Sequence, residues 1–170
     1  MAPTTVSIRP AEARDRDAVW SIVEPTIRAG ETWALPVDWT REEALAYWFA
    51  PGHEVWVAND AGKVVGTYFL RPAFLGPGGH VGNAGYMVDP GAWGKGVASA
   101  MCRHSIERAP ACGFRAIQFN CVVSSNTRAV ELWQRMGFAI IGRSPGSYRH
   151  ARLGEVDVLI MHRTVGAGPY

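Results

Sequence analysis

A chain of 170 residues, 48% hydrophobic and 19% charged, is long enough for one well-filled core and short for two. A formal net charge of +2 without a Lys/Arg run does not suit a dedicated nucleic-acid binder, and no apolar run approaches the roughly 20 residues of a membrane span. Three cysteines without CxxC spacing and the lack of a charged-then-apolar leader predict a reduced, cytoplasmic location. We expect a single domain over residues 1–165 and a flexible tail over 166–170.

Two helices are predicted in the first third of the chain. Alternating apolar and polar positions over residues 4–11 predict a first strand. Apolar residues then recur at helical spacing from Asp15 to Gly30, which ends a first amphipathic helix. A second, shorter helix follows Thr40, because Thr40 and Glu43 stand at capping-box spacing. The loop between the helices contains two tryptophans and has no regular period.

Three strands and a third helix are predicted next. Residues 53–58 and 63–71 are strand-like runs separated by turn-forming residues, which predict an antiparallel hairpin. A glycine-rich loop leads to a fourth strand at 81–88. An apolar helix over about 96–109 follows it.

The last third is predicted to hold three strands and one helix. A fifth strand covers residues 114–123, a helix runs from about 126 to 136, and two strands cover 138–144 and 155–163. Strict alternation would divide the side chains of the fifth strand between two faces. One face carries Ile117, Phe119, Cys121 and Val123, and the other carries Gln118, Asn120 and Val122. The order of elements indicates an α/β fold of layered, mixed (α+β) type.

Two glycines flank a lysine directly before the predicted third helix. The first turn of a helix has unpaired N–H groups and partial positive charge, so Gly94 and Gly96 around Lys95 suit an anion such as phosphate. A Walker loop needs a glycine at Asp89, and a dinucleotide fingerprint needs one at Ser99, so both motifs are excluded. A plain turn and helix cap explains the glycines equally well at this point.

Two motifs make nearly the whole chain resemble the GCN5-related N-acetyltransferase (GNAT) family. Its Q/R-x-x-G-x-G/A signature, which follows a strand ending in V-x-P, is similar to VDP at 88–90 and WGKGVA at 93–98. Its later N-x-x-A-x-x-L-Y-x-x-x-G-F motif is similar to NTRA at 126–129 and LWQRMGF at 132–138. The order and separation of the two motifs are more specific than either motif alone.

The resemblance implies a fold and a cosubstrate. The GNAT-like sheet would be mixed, mostly antiparallel, of about seven strands, splayed between strands four and five, with helices on both faces. Acetyl-coenzyme A would pair its pantetheine arm with the main chain around Met87 and Val88, like an added strand, and with Asn126. The signature, which begins at Trp93, would hold the pyrophosphate through the backbone amides of Gly94, Lys95, Gly96, Val97, Ala98 and Ser99.

Two residues depart from the family pattern. Trp93 replaces the usual Gln or Arg, so a cationic contact to phosphate is missing, for which Lys95 could partly compensate. Trp133 stands where many relatives have a tyrosine proposed to protonate the departing thiolate, and an indole does not ionise in the useful range. Solvent, or a hydroxyl of Ser124 or Ser125, is then left to supply the proton.

The implied reaction is direct attack of a neutral amine on the thioester carbonyl. A backbone N–H near Val88 would polarise that carbonyl. The fourth strand offers no carboxylate as a general base, so we predict that Asn83 and Asn120 orient the amine or a water. A strand-end cap is the alternative role for Asn83.

The predicted acceptor is a small primary or secondary amine, amino-acid-like, because two short segments look similar to family members that acetylate such amines. Its predicted contacts are Asn83, Tyr86, Trp33 and, for the ammonium group, Glu31. The alternatives are a surface carboxylate for Glu31 and core packing for Trp33. A protein N-terminal or lysine acetyltransferase, or a coenzyme-A-binding regulatory module without turnover, stays open as a function. A homodimer also stays open. No metal is predicted, because the His and Cys residues lack ligand spacing.

Overall fold

The computed structural model describes residues 6–166, and within them the chain forms seven strands and four helices. The strands are β1 Ser7–Pro10, β2 Glu54–Asp60, β3 Lys63–Pro72, β4 Val81–Val88, β5 Ala116–Val123, β6 Ala139–His150 and β7 Gly154–Thr164. The helices are α1 Arg16–Ala29, α2 Arg41–Trp48, α3 Val97–Arg108 and α4 Thr127–Arg135. Short 3₁₀ turns connect several of these elements.

The strands form one sheet in the order β1-β2-β3-β4-β5-β7-β6. Every neighbouring pair is antiparallel except β4 and β5, which run parallel. That parallel pairing is short, since it joins only Val81 to Ala116 and Gly82 to Ile117. Beyond Gly82 the two strands separate, which confirms the predicted splay between strands four and five.

Helices cover both faces of the sheet. Because side chains alternate along the strands, each face carries apolar side chains that pack against helices. On β3, Tyr68 and Leu70 point into a core shared with α3, whereas Phe69 joins a second core with α1 and α2. Gly66 allows α3 to pack closely on β3, because a Cβ there would lie 2.9 Å from a methyl group of Val97. The sheet is therefore a middle layer, and the splay opens between its two helical layers.

Several predicted boundaries are confirmed by local contacts. Thr40 and Glu43 cap α2 reciprocally, through both halves of a capping box. Gly30 ends α1 in the left-handed conformation, with φ of 61°. β4 occupies residues 81–88, as the sequence predicts. α1 stays helical through Pro25.

The strict alternation predicted for β5 is wrong beyond Phe119. Phe119 pairs with Met161, but Val122 pairs with Leu159, so β5 carries one extra residue and forms a bulge. As a result Val122 is buried in the same core as Phe119, while Cys121 is exposed. A period-two pattern cannot reveal this, because a bulge shifts the register by one residue.

Two smaller predictions also need adjustment. β6 is longer than predicted and runs from Ala139 to His150. The β2–β3 turn is shorter than predicted, since only Ala61 and Gly62 lie between the strands, both with positive φ. The start of the predicted first strand, at residues 4 and 5, lies outside the described residues. So do residues 167–170 of the predicted tail. Across residues 6–166, none of the helices has both the length and the apolar character needed to cross a bilayer.

Candidate active site

A first cleft of about 550 Å³ opens where β4 ends and α3 and α4 begin. The cleft lies at the splay, where β4 no longer hydrogen-bonds to β5, and its walls come from β4, α3 and α4. Among its lining residues are those predicted to bind the cofactor: Met87, Val88, Trp93, Gly94, Gly96, Val97, Ala98, Ser99 and Asn126. Lys95 is exposed and is not among the lining residues. We call this the donor cleft.

The floor of the donor cleft near α3 is bare main chain. Gly94 and Gly96 have φ of 77° and 78°, a conformation that L side chains rarely adopt, and open space surrounds the position of a Cβ on either residue. Gly96 caps α3, so the N–H groups of Val97, Ala98 and Ser99 have no acceptor within the helix. Glycine therefore leaves a row of donors accessible at the positive end of a helix, a geometry that suits a phosphate.

The main chain of β4 supplies a second row of polar groups. The Asp89 N–H donates to the Val65 carbonyl, and the Ala73 N–H donates to the Val81 carbonyl. The odd-numbered residues of β4 therefore hydrogen-bond to β3. In an antiparallel ladder the intervening residues point their N–H and C=O the opposite way. Tyr86 and Val88 therefore direct their main-chain groups into the splay, where β5 does not pair with them.

The same alternation corrects the predicted role of Met87. Its main-chain groups point to β3, and its side chain is buried against α1 and α2, so it contributes surface to the cleft rather than pairing groups. The splay-facing main-chain groups in this part of β4 are those of Tyr86 and Val88 rather than Met87.

The loop before α3 contains a feature that the sequence did not reveal. Trp93 is 58% exposed, and its indole N–H donates to the Val88 carbonyl at 3.1 Å. The guanidinium of Arg128, in the first turn of α4, lies 6.0 Å from the centroid of the Trp93 ring, and Arg128 lines the donor cleft. A cation thus stands beside the tryptophan that replaces the family's Gln or Arg. The only sequence feature that points to Arg128 is its position two residues after Asn126.

A second cleft of about 280 Å³ adjoins the first on the side of α1 and α2. It is lined by Thr32, Trp33, Ala34, Leu35, Tyr47, Phe69, Arg71, Asn83, Ala84, Gly85, Tyr86, Phe119, Asn120, Cys121, Val122, Val123, Asn126, Ala129 and Trp133. Six of these also line the donor cleft: Thr32, Trp33, Tyr86, Asn126, Ala129 and Trp133. The two clefts therefore meet, and Tyr86 is the β4 residue at the junction. We call the second one the acceptor cleft.

The two predicted asparagines line the acceptor cleft and are already partnered. Asn83 donates from Nδ2 to the Gln118 carbonyl at 2.9 Å, at the point where pairing between β4 and β5 stops. Its Oδ1 accepts from Nε of Arg71 at 3.4 Å. Asn120, in the β5 bulge, accepts from Gln118 Nε2 at 2.8 Å. Asn83 thus bridges the start of the splay with its side chain, a role close to the strand-end alternative.

Two aromatic side chains at the junction have no acidic proton in the useful range. Trp133 packs against Tyr86, with ring centroids 5.0 Å apart. The Tyr86 hydroxyl forms a 2.6 Å hydrogen bond with Ser105 on α3, away from the acceptor cleft, and burial raises its pKa well above the ordinary value. Tyr86 therefore presents its ring and its main chain, rather than its hydroxyl, to the clefts.

The loop between α1 and α2 forms one wall of the acceptor cleft and is tethered to the β6–β7 hairpin. The Tyr148 hydroxyl donates to the Trp33 carbonyl at 3.1 Å, and Ala151 N–H donates to the Gly30 carbonyl. Trp33 lies at the junction, and Gly85 leaves it room, because a Cβ at Gly85 would overlap the indole. The hairpin therefore holds the wall through the Tyr148 side chain and one main-chain hydrogen bond.

Glu31 lies outside the lining of both clefts. Its carboxylate forms a 2.7 Å ion pair with Arg152 at the tip of the β6–β7 hairpin. The predicted contact between Glu31 and a substrate ammonium stays a prediction, and the carboxylate already has a cationic partner. Within residues 6–166, no group of three His, Cys, Asp or Glu side chains is arranged to hold a metal ion.

Comparison with known proteins identifies the family. The model of the acetyltransferase (GNAT) family matches residues 18–138. The chain belongs to the GNAT acetyltransferase family. The match spans the donor cleft from β4 to α4, which confirms the resemblance carried by the two motifs. The GNAT chain also matches N-acetyltransferase aca1 of Schizosaccharomyces pombe, at 26% identity over 132 residues, which is 68% of this chain and 63% of the yeast protein. It thus spans less than two thirds of that relative.

Solved structures share the whole architecture of this GNAT chain. A GCN5-related N-acetyltransferase from Kribbella flavida is 41% identical, with a TM-score of 0.90 over 96% of this chain and 99% of that one. A phosphinothricin acetyltransferase of the GNAT superfamily from Sinorhizobium meliloti, solved with acetyl-coenzyme A, is 21% identical. Its TM-score is 0.84 over 96% of this chain and 90% of that one. The predicted seven-stranded, splayed GNAT fold is confirmed.

Proposed function

We propose that the protein is an N-acetyltransferase that transfers the acetyl group of acetyl-coenzyme A to a small amine. The observation that carries the proposal is the meeting of two clefts at Tyr86. One cleft offers main-chain donors and a helix N-terminus to a phosphate-bearing donor, and the other offers a small chamber to an acceptor. The family supplies the reaction type, and the acetyl-coenzyme A in the Sinorhizobium protein supports the donor.

The donor cleft fits acetyl-coenzyme A chemically. The N–H groups around Gly94 and Gly96 would hold the pyrophosphate, and Arg128 would add the positive charge that Trp93 lacks. The main chain of Tyr86 and the N–H of Val88, whose carbonyl already accepts from the Trp93 indole, would hydrogen-bond the pantetheine arm as an added strand. Asn126 caps α4 through Oδ1, which leaves its Nδ2 available to the same arm. Bound acetyl-coenzyme A supplies an activated acyl group as a thioester.

The chain's own residues position the reaction and polarise the acyl carbonyl. An N–H of Tyr86 or Val88 that points into the splay would donate to the thioester oxygen; Tyr86 lies nearer the acceptor because it stands at the junction. The lining residues of the acceptor cleft include no carboxylate, so the amine would arrive neutral. Asn83 and Asn120 would act by orienting the acceptor or a water.

The size of the acceptor cleft supports a small molecule rather than a protein. About 280 Å³ lined by Trp33, Tyr47 and Phe69 suits a compact amine with an apolar part, near the lower end of ordinary ligand pockets. A peptide acceptor would need an open groove for its neighbouring residues. We therefore favour a small, amino-acid-like amine over a peptide as the acceptor. The cytoplasmic location and the homodimer stay predictions.

Thiol release from acetyl-coenzyme A in the presence of an amine panel tests this function. Release that saturates with amine concentration supports the proposed enzyme. Release only with peptides bearing a free N-terminus or lysine would point to a protein acetyltransferase. Tight coenzyme A binding without release from any acceptor would point to a regulatory module and overturn the proposal.

A further inference from the structure

One charged side chain lines the acceptor cleft. Of the described residues along its walls, Arg71 on β3 carries a formal charge and the others are apolar, aromatic or neutral polar. His53 lies beside the cleft, with its ring 4.7 Å from that of Phe69, and its pKa is lowered mainly by burial and also by Arg71. The lowered pKa favours the neutral imidazole, so the charge at this wall is that of the guanidinium.

Arg71 has no carboxylate partner. Its Nε donates to Asn83 at 3.4 Å, and its guanidinium carbon lies 5.6 Å from the centroid of the Phe69 ring. Among the ion pairs of residues 6–166, none includes Arg71, and both of its Nη groups are without a hydrogen bond there. By contrast, Arg9, Arg108 and Arg143 each meet a carboxylate at 2.7 Å or closer. A half-buried arginine with a free fork is ready to bind an anion.

The register of the sheet relates this arginine to the reaction centre. Arg71 is opposite Asn83 on β4, and Phe69 is opposite Gly85. Tyr86, at the junction of the clefts, is three residues from Asn83, which corresponds to roughly 10 Å along a strand. The guanidinium carbon of Arg71 lies 5.6 Å from the Phe69 ring centroid, and Phe69 is opposite Gly85, so the arginine side chain leans along β3 toward the junction. A group held by Arg71 can therefore belong to the same small molecule as an amine at the junction.

We propose that Arg71 is a specificity-determining residue that binds a carboxylate, or a similar small oxyanion, of the acceptor. This inference rests on the proposed function, and it narrows the acceptor to amines that carry an anionic group within a few bonds of the nitrogen. The planar guanidinium would bind both oxygens of a carboxylate in a fork geometry. Asn83, fixed by Gln118 and Arg71, would hold the guanidinium in place. Apolar walls around it strengthen the attraction by excluding water.

Binding to the coenzyme-A-saturated protein tests the inference directly. The probes are matched pairs that differ only by a carboxylate: leucine and 3-methylbutylamine, methionine and 3-(methylthio)propylamine, phenylalanine and 2-phenylethylamine. Calorimetry should give at least about tenfold tighter binding for the carboxylate member of one or more pairs, the range expected for a charge-assisted hydrogen bond.

Three variants assign the preference to Arg71. Arg71→Gln should abolish the preference, Arg71→Lys should retain part of it, and Arg103→Gln, which removes an exposed charge from α3, should retain all of it. Arg71→Lys also serves if Arg71→Gln does not fold. Coenzyme A affinity should stay unchanged in all three variants.

The outcomes separate this inference from the proposed function. Equal or absent binding of both members in every pair, or a preference that survives in Arg71→Gln, overturns the inference. Thiol release is measured in parallel with the same pairs. Turnover without any carboxylate preference would overturn the role of Arg71 alone, whereas carboxylate binding without turnover would overturn the proposed function alone.

Discussion

The donor and acceptor clefts meet at Tyr86 but are built from different parts of the chain. Glycines, strand ends and helix starts form the donor cleft, and most of its predicted contacts are main-chain groups within residues 86–99 and 126–133. Side chains form the acceptor cleft, and they converge from the α1–α2 loop, β3, β4 and β5. Under the proposed function, the first surface would bind acetyl-coenzyme A through backbone geometry, whereas the ligand of the second would depend on a few side chains.

The largest effect is expected at the donor cleft. Gly96→Glu places a carboxylate beside the N–H groups that we propose bind phosphate, and it forces a side chain onto a backbone with φ of 78°. Acetyl-coenzyme A affinity should fall by about 100-fold or more, since like charges in contact cost several kcal/mol. Isothermal calorimetry measures the loss.

Gly113→Glu is the matched control for that variant. Gly113 follows α3 at its far end, has φ of 82° and open space around it, and lines neither cleft. The backbone strain, about 1–2 kcal/mol, should be similar in the two variants. Equal affinity in Gly96→Glu and Gly113→Glu would show that the glycine loop does not bind phosphate.

A second variant acts on the acceptor cleft. A Cβ in Gly85→Ala would overlap the Trp33 indole and lie 2.8 Å from the Phe69 ring, so the wall must move. We expect kcat/KM for the acceptor to fall about 10-fold to 100-fold, because small displacements at a positioned centre are costly. Stability should fall by about 1–3 kcal/mol.

Gly91→Ala is its control, since the nearest atom to a Cβ there is an Asp89 oxygen at an ordinary 3.5 Å. Steady-state kinetics with both substrates separates the effects. If the KM for acetyl-coenzyme A rises in Gly85→Ala more than that for the acceptor, the two clefts are not functionally distinct.

A smaller effect is expected at the junction itself. Trp133→Tyr restores the residue usual in the family, and we expect kcat to change by no more than about fivefold, because positioning rather than thiolate protonation limits the reaction. A general acid that had been limiting would instead contribute about 10²–10⁴-fold. The pH profile of the unmodified protein should rise toward the pKa of the acceptor amine, without a falling limb from Tyr86, whose pKa burial raises.

Tyr47→Phe controls for the other phenol that lines the acceptor cleft, and it should leave the profile unchanged. A large gain in kcat for Trp133→Tyr together with a new falling limb at high pH would contradict this account of the junction.

The smallest effect is expected just outside the acceptor cleft. Glu31→Gln and Arg152→Gln each remove one side of an ion pair that is partly open to solvent, so both should change stability by less than about 1 kcal/mol. Kinetic constants should match between the two variants. A rise in acceptor KM confined to Glu31→Gln would restore Glu31 as a contact for the substrate ammonium.

Most residues that line the donor cleft could be predicted, because they follow patterns that are local in the sequence. Gly94 and Gly96 before α3, and Asn126 before α4, are short-range patterns that a sequence displays directly. Even there, Arg128 was missed, because its meeting with Trp93 depends on how α4 approaches the loop.

The acceptor cleft could not be predicted in the same way. Arg71 is an ordinary residue of β3 in the sequence, and only the pairing with β4 places it opposite Asn83. The β5 bulge, which exposes Cys121 and buries Val122, results from pairing with β7 and has no period of its own. Glu31 was predicted to contact the acceptor, but it lines neither cleft, and its partner Arg152 is distant in sequence.

The hydrogen bond between Trp33 and the β6–β7 hairpin links the acceptor cleft to a part of the chain outside both clefts. Tyr148 lines neither cleft, yet its hydroxyl donates to the carbonyl of Trp33 in the acceptor wall. Gene duplicates that vary in this hairpin could acquire new acceptors while they inherit the same donor site intact. Substrate choice and cofactor use can therefore evolve separately in one small domain.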